Sequence, residues 1–363
     1  MKHSALLKLT LFTLLLFLLC SSALAEQSFS SAPDMANYLF QCIEQRMNDI
    51  SFTLTGAFAQ TTDAELEEIF DDVADTVNWR AYSFSRAKNK VQVQIRLWYR
   101  PGVRMVDAWR SGDTSGLTAD EITCLNKAKE IVAQLRVKAH TTLKIEKAIH
   151  DYLCETITYT YGTGISSTEG VTTATWALLR GTANCQGYAD AFYLLGNLAG
   201  LEVDFMSGLD GEEEHVWNTI RLDGNLYIVD VTHDDPDDNW AEPKYIYFNI
   251  GLDLLPENRQ WYICAQPEPI SAFTSGDLYF FNGKPGFGRM FFTLDEAAKH
   301  CYEEGLNGDT YMHVAVYGAE PTTDEINKAV SKAVGKHPRA TEWTYLYYYR
   351  GGHTFLTFHW KKF

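Results

Sequence analysis

The sequence predicts an α+β protein, with a central unit flanked by two similar small α+β modules. Runs with helical and strand-like periodicity alternate along most of its 363 residues. The order helix, strand, helix, strand, strand occurs in the first third of the chain and returns near its end. A chain of this length is also expected to divide into two or three units, each able to bury its own core.

The first 25 residues have the features of a secretory signal peptide. Lys2 and Lys8 accompany an apolar run that leads to Ala23-Leu24-Ala25, a small-x-small cleavage motif. The apolar run is short for a bilayer span, which argues against the alternative of an uncleaved anchor. We therefore expect a secreted or surface-associated protein, with no stable membrane insertion after cleavage.

The excess of acidic side chains indicates which classes of binding partner are unfavourable. The chain has 47 acidic against 31 basic side chains, a formal net charge of −16. Cleavage after Ala25 would remove two lysines and make this charge more negative. Such a balance disfavours nucleic acid and anionic membrane surfaces as partners.

The N-terminal module is predicted over residues 26–139, including a connecting helix. Thr62 and Glu65 form a capping box at the start of its second helix, and Thr118 and Glu121 form another for the connecting helix. Two β-rich runs follow the second helix and join in a hairpin at residues 88–90. The first helix is indicated by apolar residues at helical spacing, namely Met35, Leu39, Ile43 and Met47.

The C-terminal module, residues 286–363, shows the same element order and ends in a hairpin that turns at residues 351–352. The Thr-Thr-Asp at residues 61–63 recurs at 322–324, and Cys42 and Cys301 fall on corresponding first helices. These correspondences favour an internal duplication. The alternative is that two unrelated units share a common order of elements.

The central unit, residues 140–285, contains Cys185 at the predicted start of a helix. The positive end of the helix dipole and the unpaired N–H groups there favour thiolate over thiol, which makes Cys185 a candidate nucleophile. A packed thiol and a disulfide are the alternatives. The sequence leaves open the pairing of the other cysteines that follow the signal peptide: Cys42, Cys124, Cys154, Cys264 and Cys301.

A cysteine nucleophile needs a base and a group that orients the base. Asp223-Gly224 predicts a tight hairpin between two strand-like runs, with His215 near the start of the first run and Asp230 at the end of the second. Antiparallel pairing is expected to place these two side chains side by side. Asp230 could then hold the imidazole of His215 in the tautomer that accepts the thiol proton.

Three blocks of the central unit resemble the bacterial transglutaminase-like superfamily, whose members are related to papain-like cysteine proteases. They are "IEKAIHDYLCETITYTY", "GTANCQGYADAFYLLGNLAGL" and "HVWNTIRLDGNLYIVDVTHDD", within about residues 142–250. The resemblance implies a papain-like transglutaminase core with Cys185 as nucleophile, His215 as base and Asp230 as its orienting group. Three places depart from the family pattern: Asn184 replaces a small apolar residue, His233 stands where relatives often have an aromatic residue, and Asn258-Arg259 falls where many relatives carry a histidine.

The resemblance implies acyl transfer through a thioester on Cys185, without a cofactor. The backbone N–H of Cys185 is expected to stabilise the oxyanion, and the indole N–H of Trp176 is a second candidate, although an aromatic residue in such a run is more often core. Water as acceptor would make the protein a peptidase or amidase, whereas an amine would make it a cross-linking transglutaminase. We expect hydrolysis of extracellular protein or cell-wall peptide.

Two further interpretations compete with that of an enzyme. A papain-like core could act as a non-catalytic binding module, and duplicated flanking modules fit that use. Metal binding could involve the acidic run at residues 234–238 together with the glutamates at 212–214. The proline in the acidic run indicates a turn, and the spacing matches no calcium loop, so we expect no metal site there.

Overall fold

A computed structural model describes residues 27–71, 77–161, 170–235, 245, 247–252, 259–261, 289–307, 311–335, 342–350 and 352–362. The predicted signal peptide and Cys264 lie outside these ranges. The chain divides into two compact units, of which one ends at Trp98 and the other begins at Tyr99. Both units combine helices with sheets, which confirms the α+β class.

The first unit is a four-stranded sheet with two helices and a 3₁₀ turn at Gly56–Gln60. The strand order is β1-β2-β4-β3, with β1 parallel and β4 antiparallel to β2. Alternate residues of β4 are buried, as expected when one face of a sheet covers a core. The elements are β1 (Ser28–Phe29), α1 (Ala32–Glu44), β2 (Asp49–Thr55), α2 (Asp63–Asp71), β3 (Val77–Ala87) and β4 (Lys90–Tyr99).

Two helices within residues 26–139, the range predicted for the N-terminal module, lie in the second unit. They are α3 (Pro101–Ser111), which the sequence analysis did not predict, and α4 (Ala119–Arg136), the predicted connecting helix with its capping box at Thr118. The backbone N–H of Gly102 donates to the buried carboxylate of Asp190, 3.1 Å away. The compact unit therefore starts well before the predicted boundary at residue 139, because long-range contacts hold these helices to the central helix.

The centre of the second unit is a helix packed between other helices and an antiparallel sheet. This central helix, α7 (Cys185–Leu198), is buried on nearly all sides and contacts α3, α4 and the sheet. The strand order in the sheet is β10-β9-β8-β7-β11. The remaining helices are α5 (Thr142–Thr156), α6 (Ala174–Arg180) and α8 (Val231–Asp234), and the strands are β5 (Thr158–Tyr159), β6 (Thr182–Ala183), β7 (Glu202–Asp210), β8 (Glu213–Leu222), β9 (Asn225–Val229), β10 (Phe248–Ile250) and β11 (Arg259–Trp261).

The last part of the chain repeats the topology of the first unit. Its strand order is β12-β13-β15-β14, with β12 parallel and β15 antiparallel to β13. The capping boxes at Thr62 and Thr322 also correspond, since each backbone N–H donates to a glutamate 2.8 Å away. This agreement supports the duplication that we infer from the sequence. The elements are β12 (Arg289–Phe291), α9 (Leu294–Leu306), β13 (Tyr311–Tyr317), α10 (Thr323–Val334), β14 (Glu342–Arg350) and β15 (His353–Lys362).

Across the described ranges, no helix has both the length and the apolar character that a membrane span requires.

Candidate active site

Cys185 is the first residue of α7. Asn184 precedes it as the N-cap, and its side-chain oxygen accepts a hydrogen bond from the Gly187 N–H, 3.2 Å away. The Asn184 N–H donates to the Val171 carbonyl at 3.0 Å. A Cβ on Gly187 would lie 2.3 Å from that same carbonyl oxygen. The close backbone approach therefore requires glycine, and it fixes where the helix begins.

The predicted hairpin carries the other two candidate residues. Asp223 and Gly224 have φ values of 50° and 83°, as a type I′ turn requires. The last pair in the ladder joins Asn218 to Val229, so Asp230 comes level with Trp217 rather than with His215. A step of two residues keeps side chains on one face of a sheet, so Asp230 reaches His215 diagonally rather than directly across.

The three side chains predicted from the sequence do meet. His215 Nε2 lies 2.8 Å from Asp230 Oδ2, and both residues are buried. The imidazole of His215 is also hydrogen bonded to the Cys185 thiol. Since Nε2 faces the carboxylate, Nδ1 is the nitrogen left for the sulfur. Cys185 is buried and takes part in no disulfide.

The electrostatics of the trio favour charge separation. Burial by itself would raise the pKa of the Cys185 thiol, but its hydrogen bond to His215, the charge of His215 and a backbone hydrogen bond from Val216 lower that pKa below its ordinary value. Burial likewise opposes protonation of His215, but Asp230 and Cys185 raise its pKa to about 9. The two shifts together favour a thiolate beside an imidazolium.

The indole N–H of Trp176 would have to be free to stabilise an oxyanion, but it is already hydrogen bonded. Its indole N–H donates to the Thr182 hydroxyl at 3.0 Å, and the Arg180 guanidinium lies over its ring. A role as second oxyanion donor stays a prediction and requires this hydrogen bond to break. The Cys185 N–H is better placed, because the first N–H groups of a helix have no carbonyl partner within the helix.

Two polar residues of the site were missed by the sequence analysis as functional candidates. His233 Nδ1 lies 3.0 Å from Asp230 Oδ2, and His233 Nε2 lies 2.8 Å from Asp210 Oδ2. Asp210 pairs with Glu213 across the β7–β8 ladder and so lies on the face of the sheet that presents His215. The sequence marked His233 only as a departure from the family pattern, and no local pattern marked Asp210.

The same cluster bears on metal binding. Among the described residues, His215, Asp230 and His233 form the one group of three or more histidine, cysteine, aspartate or glutamate side chains whose potential ligand atoms all lie within 4.8 Å of one another. Of the acidic run considered earlier, residues 236–238 lie outside the described ranges. Asp234 is fully buried and accepts the Tyr247 N–H, and Asp235 accepts the Tyr188 hydroxyl, so both serve internal hydrogen bonds.

Tyr159 is a further side chain beside the nucleophile. It lies on β5, whose ladder pairs it with Ala183, two residues before Cys185. Burial and the neighbouring Cys185 raise the pKa of Tyr159 to about 12. Tyr159 is 37 % exposed, so it is accessible to solvent.

Comparison with known proteins agrees with this geometry. Residues 129–232 match the family model of the transglutaminase-like superfamily. Human kyphoscoliosis peptidase is 25 % identical over 178 residues, which covers 43 % of this chain and 27 % of that protein. The mouse kyphoscoliosis peptidase is 24 % identical over 179 residues, with the same coverage. The chain thus spans about a quarter of the length of these relatives.

A crystal structure of a TGase covers 51 % of this chain and 51 % of its own, with 12 % identity and a TM-score of 0.28. The matched residues include Cys185, His215 and Asp230. The chain thus contains, at residues 129–232, a match to the transglutaminase-like superfamily.

Proposed function

We propose that this protein is an exported thiol acyl-transfer enzyme that hydrolyses peptide or amide bonds through a thioester. One observation carries the proposal: the Cys185 thiol is hydrogen bonded to His215, whose Nε2 lies 2.8 Å from Asp230. A nucleophile, a base and an orienting carboxylate in this order are the parts that covalent acyl transfer needs.

In the first half-reaction, the Cys185 thiolate attacks the carbonyl carbon of the scissile bond and forms a C–S bond. The carbonyl oxygen becomes an oxyanion beside the Cys185 N–H. When the tetrahedral intermediate collapses, the C–N bond breaks and the leaving nitrogen takes the proton from the imidazolium of His215. The product of this half is a thioester on Cys185 and a free amine.

In the second half-reaction, neutral His215 takes a proton from water as the water oxygen attacks the thioester carbonyl. The C–S bond then breaks, and the carboxylic acid leaves while His215 and Cys185 return to the imidazolium and thiolate forms. An amine acceptor would use the same residues and form a new amide. We favour water because the curated relatives are named as peptidases.

The substrates we propose are extracellular proteins or cell-wall peptides. This follows from the expected export of the chain and from its net charge of −16, which disfavours nucleic acid and anionic membranes. No cofactor is required, because each proton in both half-reactions moves between the substrate, water and His215.

Thiol reactivity provides the first test. Burial raises the pKa of the four other described cysteines, Cys42, Cys124, Cys154 and Cys301. Iodoacetamide at mildly acidic pH should therefore alkylate Cys185 first, as measured by peptide mass spectrometry, and His215→Ala should abolish this preference. Ordinary thiol reactivity at Cys185 would support a binding module instead.

The second test identifies the acceptor. Wild type and Cys185→Ala are incubated with a mixed extracellular proteome, and new N-termini and new isopeptide cross-links are counted by mass spectrometry. New termini that depend on Cys185 support hydrolysis, whereas cross-links that depend on it indicate a transglutaminase. A result in which neither product depends on Cys185 would refute the enzymatic proposal.

A further inference from the structure

His233 lies between two carboxylates at the edge of the site. Its Nε2 is 2.8 Å from Asp210 Oδ2, and its Nδ1 is 3.0 Å from Asp230 Oδ2. The His233 side chain is 32 % exposed and Asp210 is 25 % exposed, whereas Asp230 is buried. Asp210 and His233 therefore lie partly in contact with solvent, and His233 connects Asp210 to the buried carboxylate of Asp230, which orients His215.

The hydrogen bonding of this cluster constrains its protons. An ionised carboxylate only accepts hydrogen bonds, and a neutral imidazole donates from one nitrogen only. Both contacts of His233 are therefore satisfied when the ring carries a proton on each nitrogen. In that form it is a cation held by Asp210 on the outside and facing Asp230 on the inside.

His233 also restrains Asp230 sterically and through the backbone. Its own N–H lies 3.3 Å from Asp230 Oδ1, so the backbone and the ring together engage both carboxylate oxygens. Its ring meets that of His215 nearly edge-on, with the centroids 4.6 Å apart and an interplanar angle of 85°. On another side its ring contacts Tyr247.

We propose that His233 is a positioning residue of the reaction: held by Asp210, it fixes Asp230 for His215 and supplies a positive charge that favours the Cys185 thiolate. This inference rests on the proposed function and assigns the pair Asp210 and His233 to the same site. It also gives a physical role to a position at which the sequence departs from its relatives.

The expected signs follow from the charges around the thiol. Among the described residues, the titratable groups that interact with Cys185 or His233 include His215, Asp230, Asp210, Tyr159 and Tyr247. Loss of the His233 cation leaves the charge of Asp230 less balanced, and thiolate formation then requires a higher pH. Asp210 acts on Cys185 in two opposite ways: directly, its negative charge opposes the thiolate, and through His233 it favours the thiolate.

The experiment measures the pH midpoint of Cys185 alkylation by iodoacetamide in the full-length protein. His233→Phe keeps an aromatic ring but removes both N–H donors, and we expect its midpoint to rise by about 0.5–1 pH unit. Asp210→Asn should raise the midpoint as well, although by less, because the ring of His233 can still donate to Asp230. His300→Phe, which replaces a histidine on α9 beside Glu304, is the matched control and should leave the midpoint unchanged.

The double variant tests whether the effect of Asp210 passes through His233. In the His233→Phe background, Asp210→Asn should no longer raise the midpoint. If Asp210→Asn alone lowers the midpoint, or has the same effect in both backgrounds, then Asp210 acts directly and the proposal is wrong. An unchanged midpoint in folded His233→Phe also refutes it.

Turnover on a peptide substrate separates this inference from the proposed function. We expect His233→Phe to lower kcat with little change in KM, because His233 acts on the triad. Turnover by wild type with unshifted midpoints in the variants would overturn the role of His233 and leave the enzyme assignment intact. Shifted midpoints in the variants, without turnover by wild type, would support the role of His233 in setting the pKa of Cys185 and overturn the enzyme assignment.

Discussion

His150 Nε2 lies 3.3 Å from Asp234 Oδ2, and both side chains are completely buried. His150 belongs to α5, and Asp234 ends the short helix that starts directly after Asp230. The backbone N–H of Tyr247 donates to both oxygens of Asp234, at 2.9 and 3.1 Å. The pair therefore ties the turn that carries Asp230 and His233 to the helical layer of the domain.

We expect His150→Phe to destabilise the fold by about 3–5 kcal/mol, because it leaves a buried carboxylate without its cationic partner. The substituted ring can still pack against Tyr245 and Phe248, so the loss reports mainly on the ion pair. Urea denaturation measures the change. His140→Phe is the control, since His140 is exposed, and an equal loss in both variants would contradict the prediction.

The ionisation of His150 should make the stability of the fold depend on pH. Burial opposes its protonation, but hydrogen bonds to Asp151 and Asp234 raise the pKa of His150 to about 9. Because this folded-state pKa exceeds the unfolded value of about 6.5, protonation of His150 stabilises the fold, and the stabilisation is complete below about pH 6.5. This contribution is lost as the pH rises through about 9. Denaturation at pH 6 to 10 should show this loss in wild type, and the loss should be smaller in His150→Phe, in which His215, with a pKa also raised to about 9, still contributes.

Gly187→Ala should lower the reactivity of Cys185 without changing Cys185 itself. The new Cβ would lie 2.3 Å from the Val171 carbonyl oxygen and 2.9 Å from the Ala183 Cβ, so backbone must shift at the start of α7. We expect a loss of about 1–3 kcal/mol in stability and slower alkylation of Cys185. Gly116→Ala is the control, because a Cβ there meets nothing within 4 Å. Equal behaviour of the two variants would refute the argument.

Asn184 is predicted to act as a helix cap. Asn184→Ala removes the acceptor of the Gly187 N–H and should cost about 0.5–2 kcal/mol of unfolding free energy. Asn184→Ser restores a capping oxygen and should recover most of that loss. Thermal denaturation of the three proteins checks the order. A serine variant no more stable than the alanine variant would show that the cap contributes little.

Asp230→Asn tests the orienting carboxylate. Asparagine has nearly the same shape, but it removes the negative charge that raises the pKa of His215 and can select the wrong tautomer. We expect kcat to fall by about 10³–10⁴-fold, as for the corresponding change in other triads. Asp223→Asn is the control, because an Asn-Gly pair also suits the type I′ turn there. Activity that survives in Asp230→Asn would exclude the proposed triad.

Local patterns predicted a large part of the fold. Capping boxes located the starts of α2 and α4, and the Asp223-Gly224 turn aligned the hairpin that carries His215 and Asp230. Helix α3 was missed, although Pro101 begins it and Gly112, with φ 76°, ends it. These features depend on residues a few positions apart, so the sequence displays them directly.

By itself, the sequence determined which residues could serve as nucleophile, base and orienting group, because a helix start and one tight turn impose their placement. Only the tertiary structure showed that Asp210 reaches His233 and that His150 reaches Asp234. Residues so far apart in the chain meet through packing of separate elements, and no short-range pattern records such a meeting. The charges that His233 and His150 place around the site are therefore properties of the folded domain.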